Sequence, residues 1–113
     1  MSNNRLAVIW SSSDPMVAHK TCFMYTHNAK KHGWFDEVTL IIWGPSAELL
    51  TRDTSLQKAI KAMKADGVIL EACKACSDSY GASDTLTELG IDVKYMGAPL
   101  TEMLQGDWKV LTF

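Results

Sequence analysis

Three short apolar runs constrain this chain more than any other feature. Leu6-Ala7-Val8-Ile9, Val38-Thr39-Leu40-Ile41-Ile42-Trp43 and Val68-Ile69-Leu70 carry almost no polar interruption. A strand with one wet face alternates apolar and polar residues, whereas runs like these are buried on both faces. That is the condition of a strand inside a parallel sheet, which needs a long crossover between neighbours. The segments between the runs must therefore supply helices that cover the sheet.

They carry the signals of helices. Arg5 to Trp10 reads as the first strand, and Ser11-Ser12-Ser13-Asp14-Pro15 as a turn in which Asp14 caps and Pro15 opens a helix. This helix runs to about His32 and closes at Gly33; Met16 with Phe23, and Val17 with Met24, share a face. After the strand Val38 to Trp43, Gly44-Pro45-Ser46 is a break, and Leu49 and Leu50 indicate a short helical turn. Thr54 and Gln57 have capping-box spacing ahead of Leu56, Ala59, Ile60 and Met63, with Lys58, Lys61 and Lys64 on the wet side. Gly67 closes that helix. Ser83 to Leu89 reads as a further helix ended by Gly90, and Ile91 to Met96 as a fourth strand. Asp92 and Lys94 alternate with apolar residues there, as at a sheet edge. Pro99 opens a short helix with Leu100, Met103 and Leu104 inward, Gly106 ends it, and Lys109 to Phe113 is the fifth strand. The rhythm βαβαβαβαβ with right-handed crossovers predicts one α/β domain over residues 1–113, a parallel sheet with helices on both faces.

Composition removes several functions. A length of 113 residues, 47% hydrophobic and 21% charged, suffices for a single core. The net charge of −2, with the lysines spread along helix faces, argues against nucleic acid and anionic membrane as partners. No apolar run approaches the roughly 20 residues of a membrane span. Met-Ser-Asn-Asn-Arg lacks a signal-peptide apolar core, so the expected location is cytoplasmic. There the three cysteines are thiols, and an odd count is no disulfide framework. Neither a P-loop nor a G-x-G-x-x-G motif is present.

Ligands of open parallel sheets bind beyond the carboxyl ends of the strands. Here those ends are Trp10 with Ser11 to Ser13, Trp43 with Gly44-Pro45, Cys73 to Cys76, and Met96-Gly97. An aromatic-walled thiol pocket is one reading; the other is that Trp10 and Trp43 plug the core. The amides of the Ser11 to Ser13 run suit a phosphate at a helix start, although such serines often only cap. With the third strand ending near Ala72, Cys73 opens a helical turn, where amides and Lys74 favour a thiolate. That chemistry serves a sulfur carrier or a redox dithiol. Zinc needs two further ligands, and His19, His27 and His32 are dispersed, so no metal site is expected. Glu71 and Asp78 flank the thiols as potential proton acceptors. Cys22, on the first helix, reads as core or helix surface.

The run Val-Ile-Leu-Glu-Ala-Cys-Lys-Ala-Cys with Ser-Asp-Ser-Tyr-Gly-Ala resembles the DsrE/DsrF-like (YchN-like) small sulfur-relay proteins. So do Val-Thr-Leu-Ile-Ile-Trp-Gly-Pro-Ser and the ending Ala-Pro-Leu-Thr-Glu-Met-Leu-Gln-Gly-Asp-Trp-Lys-Val-Leu. The resemblance implies a three-layer α/β/α domain with a five-stranded parallel sheet in the order 4-3-2-1-5. It implies homo-oligomers, trimers or hexamers. It also implies a persulfide on Cys73, with Cys76 as resolving or assisting thiol, sulfur donor and acceptor proteins as partners, and no metal or organic cofactor. Ser77-Asp78-Ser79 stands where some relay subunits have a basic run. Beside the carrier stand a non-catalytic ligand-binding or assembly module lined by Trp10, Ser11, Ser12, Trp43, Gly44 and Lys74, and a dithiol redox protein.

Overall fold

In the computed structural model, which describes residues 4–113, the apolar runs lie side by side. The strands are β1 (Arg5–Trp10), β2 (Glu37–Ile42), β3 (Ile69–Cys73), β4 (Asp92–Lys94) and β5 (Lys109–Thr112). All pairings are parallel and the order is β4-β3-β2-β1-β5. The three uninterrupted runs form the centre, and the two weaker strands form the edges.

The first helix, α1, spans 15–31. It is α-helical at Pro15–Val17 and Met24–Lys31 and π-helical at Ala18–Phe23. Asp14 caps it, accepting from the Met16 amide at 2.8 Å. The expected short turn at Leu49 is a full helix, α2 (Pro45–Arg52). The following α3 (Thr54–Ala65) starts one residue earlier than the capping-box spacing indicates: Asp53 is the cap, accepting from the Leu56 amide. Gln57 instead donates to the carbonyls of Leu50 and Thr51, tying α3 to the end of α2. The remaining helices are α4 (Lys74–Ser79), α5 (Ser83–Glu88) and α6 (Gly97–Gln105).

Strand order decides the layers. From β1 to β4 the chain steps always in one direction, so right-handed crossovers stack α1, α2, α3 and α5 on one face. The return from β4 to β5 crosses the sheet the other way, which places α6 on the opposite face. Side chains alternate accordingly. Leu6, Val8 and Trp10 of β1, Val38, Leu40 and Ile42 of β2, and Leu70 and Ala72 of β3 pack with Phe23, Leu50, Leu56, Ile60, Met63 and Leu86. The other parity, Ala7, Ile41 and Cys73, packs with Met96 and Met103. One face thus carries the thick core, and the other a thin layer under a nine-residue helix. No helix among the described residues is long and apolar enough to cross a membrane.

Candidate functional site

The thin face carries the thiols. β3 runs to Cys73, whose extended backbone (φ −71°, ψ 115°) makes it the cap residue of α4. The Cys73 carbonyl accepts from the Ser77 hydroxyl at 2.8 Å, which fixes the first turn of α4. One turn along, Cys76 is held over Cys73, as i and i+3 residues on a helix are. Ile42 pairs with Ala72 across β2 and β3, so Trp43 stands opposite Cys73. Trp43, Ile9 and Leu100 pack with both cysteines and Met96 in one apolar group.

Burial separates the two thiols. Cys73 is only 5% exposed, and Cys76 is the half-buried one that faces outward. This reverses the expected order of access, because β3 extends one residue beyond Ala72 and keeps Cys73 within the sheet. Burial raises the Cys76 thiol above its ordinary range, and so does its contact with the Cys73 thiol; the backbone N–H groups of Gly44 and of Cys76 itself oppose the rise weakly. Cys22, on α1, is buried far more completely, and desolvation lifts it to about 12 against a weaker opposing bond from Thr26.

The cation assigned to the thiols by sequence has another partner. Lys74 Nζ lies 2.6 Å from Asp78 Oδ2 and 5.7 Å from the centre of the Tyr95 ring. Asp78 holds the Lys74 proton on and is itself pushed down, first by Lys74 and then by the Ser83 hydroxyl. Asp78 is therefore a partner of Lys74 and Ser83 rather than a proton acceptor for sulfur. Glu71 is likewise paired, with Lys94 at 2.8 Å.

The two tryptophans divide. Trp10 has the parity of Leu6 and Val8, is fully buried in the thick core, and meets Phe23 edge-on at 4.8 Å and 76°. It plugs; it does not wall the thiols. Trp43, of opposite parity, does. Ser11 and Ser12 also have structural work: their amides donate to the Phe113 carbonyl at 2.7 and 3.1 Å, and the Ser11 hydroxyl adds a third bond. The Ser12 hydroxyl accepts from the Asp14 amide. The serine loop thus anchors β5 and has no free amide pair for a phosphate. Of the predicted set, Cys73, Cys76, Trp43 and Gly44 come together, Lys74 sits beside them, and Trp10, Ser11 and Ser12 are directed elsewhere.

Met96, expected at this edge, does lie with the thiols; sequence reading missed Ile9 and Leu100 around them, and strand parity in the observed register would have found Ile9. It also missed a cavity of about 420 Å³ further down the thin face, lined by Arg5, Glu37, Glu71, Lys94 and Glu102 with Trp108. Among the described residues no three His, Cys, Asp or Glu side chains gather as a metal site.

The model of the DsrE/DsrF-like family matches residues 5–113. A solved structure of a conserved protein of unknown function, BT1422 from Bacteroides thetaiotaomicron, is 36% identical, with 98% of this chain and 96% of that one covered and a TM-score of 0.94. The ychN protein from E. coli, at 15% identity, shares the fold with a TM-score of 0.72 over 99% of this chain and 100% of that one. No curated protein matches the sequence.

Proposed function

The chain belongs to the DsrE/DsrF-like family, and from that premise we propose that it is a cytoplasmic sulfur-relay protein carrying persulfide sulfur on its strand-end cysteines. The observation that supports this reading is the pair itself: a half-exposed thiol resting on a buried one at the carboxyl end of a central strand. Cys76 meets the donor. Its thiolate attacks the outer sulfur of a donor persulfide, and the donor thiol leaves. Cys73 lies behind it in apolar surroundings, able to take the sulfur from Cys76 and shield it until an acceptor thiol arrives. Without a free cation beside the pair, reactivity rises with pH toward the raised range of Cys76, because the thiolate is the nucleophile. A homo-oligomer belongs to the same proposal, as the thin face of the sheet is covered by a single helix.

Mass spectrometry after treatment with a persulfide donor tests the reading. A gain of one sulfur atom, lost in Cys76→Ser and shortened in lifetime by Cys73→Ser, is the expected result. A loss of two hydrogens across the pair, with no sulfur gained, replaces the carrier by a dithiol redox protein.

A further inference from the structure

The cavity of about 420 Å³ on the thin face has the size of a small-molecule site and takes no part in the sulfur reading. Its floor is the thin-face side of β1, β2 and β3, and α6 roofs part of it with Pro99, Glu102 and Met103. Ile69 lies in that floor and is 40% exposed, although its strand is inside the sheet.

Thr39 gives the first sign of a ligand. Four polar residues are buried among the described ones: Thr26, Thr39, Ser46 and Ser77. The Thr26 hydroxyl donates to the Cys22 carbonyl, Ser46 to that of Trp10 and Ser77 to that of Cys73. Thr39, only 1% exposed, makes no such bond with a described residue and lines the cavity. A hydroxyl buried without a partner has given up its water and gained nothing. A polar group bound in the cavity would restore the bond.

Charge decides the kind of ligand. Arg5 is taken by Asp107 at 2.6 Å and lies 4.7 Å over the Trp108 ring. Lys94 is held by Glu71 at 2.8 Å and by Asp92 at 3.2 Å. The second Glu71 oxygen, Oε1, is buried without a partner. Glu37 and Glu102 form no ion pair among the described residues and also line the cavity. Arg5 Nε is buried and unpartnered as well, yet an anion drawn to it would face Asp107 and Glu37, its register partner. The unanswered groups are therefore carboxylates, and they attract a cation.

They are too far apart to share one ion. Glu37 stands four residues before Ile41, the register partner of Glu71. A rise of about 3.3 Å per residue and a strand spacing of about 4.8 Å put the two Cα atoms roughly 14 Å apart. No group of these residues gathers as a metal site. Thr39 lies on β2 between the two levels. Separated acceptors over the apolar surfaces of Ile69, Met103 and Trp108 match charges spaced along an aliphatic chain.

We propose that this cavity binds a linear polyamine. Glu37 and Glu71 take its end ammonium groups, Thr39 accepts from an inner nitrogen, and Glu102 closes over it from α6.

Spermidine, a linear triamine, is the probe, titrated into the unsubstituted protein in about 0.15 M salt, where long-range attraction is screened. Calorimetry shows one site, and in ¹⁵N-labelled protein the Thr39 and Ile69 amides and the Trp108 indole shift together. Butylamine, with one charge, and magnesium, with no chain, bind about tenfold more weakly or worse, because each lacks charge-assisted bonds. Thr39→Val keeps the shape and removes the hydroxyl. It lowers spermidine affinity about tenfold without loss of unfolding stability, and Thr39→Ser restores binding. Glu37→Gln, at a half-buried position, weakens binding about threefold. Displacement by an equal concentration of magnesium, or butylamine binding as tightly, reduces the site to a diffuse acidic surface and overturns the proposal. A Thr39→Val protein that binds spermidine unchanged does the same. Lower stability of Thr39→Val would mean that the hydroxyl has an internal partner and would remove the argument. If Thr39→Val and Glu37→Gln alter self-association in light scattering while spermidine moves no amide, the cavity seats a second copy of the chain, and the polyamine is refuted.

Discussion

Cys22 provides a quantitative check on how far the α1 side of the core excludes water. Its thiol is fully buried, and its ionisation is pushed from about 9 to about 12, chiefly by desolvation. The unfolded chain loses this proton near its ordinary value, and the folded chain keeps it for about three further pH units. Below the unfolded value both states are protonated and folding is unaffected. Between about 9 and 12 the unfolded state binds fewer protons, so stability falls with rising pH by about 1.4 kcal/mol per unit. The total reaches about 4 kcal/mol, a large share of what a domain of this size possesses. Lysines and tyrosines titrate in the same range, so the measurement is a difference. Urea unfolding under reducing conditions, at several pH values from about 8 to about 10.5, is compared between the unsubstituted protein and Cys22→Ala. The alanine variant is the less stable at neutral pH because it leaves a small void. Its deficit should shrink by roughly 2 kcal/mol by about pH 10.5. A deficit that stays constant over that range refutes the buried thiol.

Four further outcomes follow from the same geometry. Native alkylation at mildly alkaline pH labels Cys76 first, Cys73 more slowly and Cys22 last, as peptide mapping would show; Cys73 leading would contradict the 5% exposure found for it. Modifying Cys76 alters tryptophan fluorescence much less in Trp43→Phe than in Trp10→Phe, since Trp43 packs on the thiol side of the sheet and Trp10 in the opposite core; an equal change in the two variants removes that contact. Leu56→Ala, in the fully buried seam between α3 and the sheet, lowers unfolding stability by about 2–5 kcal/mol, and a loss under 1 kcal/mol would mean the seam readily collapses. Light scattering at micromolar concentration detects a homo-oligomer; a monomer would remove the assembly proposal.

The order of elements was legible because its signals are local. Pro15 and Asp14 start α1, Gly67 follows α3 with φ 101°, and β-branched runs make the central strands. The alternation of Asp92 and Lys94 with apolar residues marks the fourth strand as an edge, which it is, over the shorter span Asp92–Lys94. What local signals do not carry is which side chain faces which layer. Trp10 and Trp43 look equivalent at two strand ends, yet one has the parity of Leu6 and Val8 and the other that of Thr39 and Ile41. That difference becomes a difference of place only once the register and the face bearing α6 are known. Adjacency points Lys74 at the thiols, whereas the i,i+4 spacing to Asp78 on α4 supplies the stronger claim. The capping box at Thr54 lost to Asp53, a residue with the same capping chemistry one position earlier.

The location of the thiols follows from topology more than from the motif. Three crossovers in one direction build the thick core, and the single return crossover leaves the opposite face with only α6. Any residue of β3 that shares the parity of Glu71 must lie on that thin face, and Cys73 does. A thiol of the other parity, at Ala72, would be sealed under α5 with Leu86 and Ala82. It would be as silent as Cys22. Helix α4 then lifts Cys76 one turn outward from the same face, so a buried sulfur and an accessible one are stacked without any loop having to be ordered. Two central strands that end beside each other thus set the surroundings of the sulfur atoms: β3 delivers the thiols, and the residue after β2 the ring of Trp43. Moving the pair by one residue along β3 would break all of these relations together, which is why the strand-end position matters more than the C-x-x-C spacing.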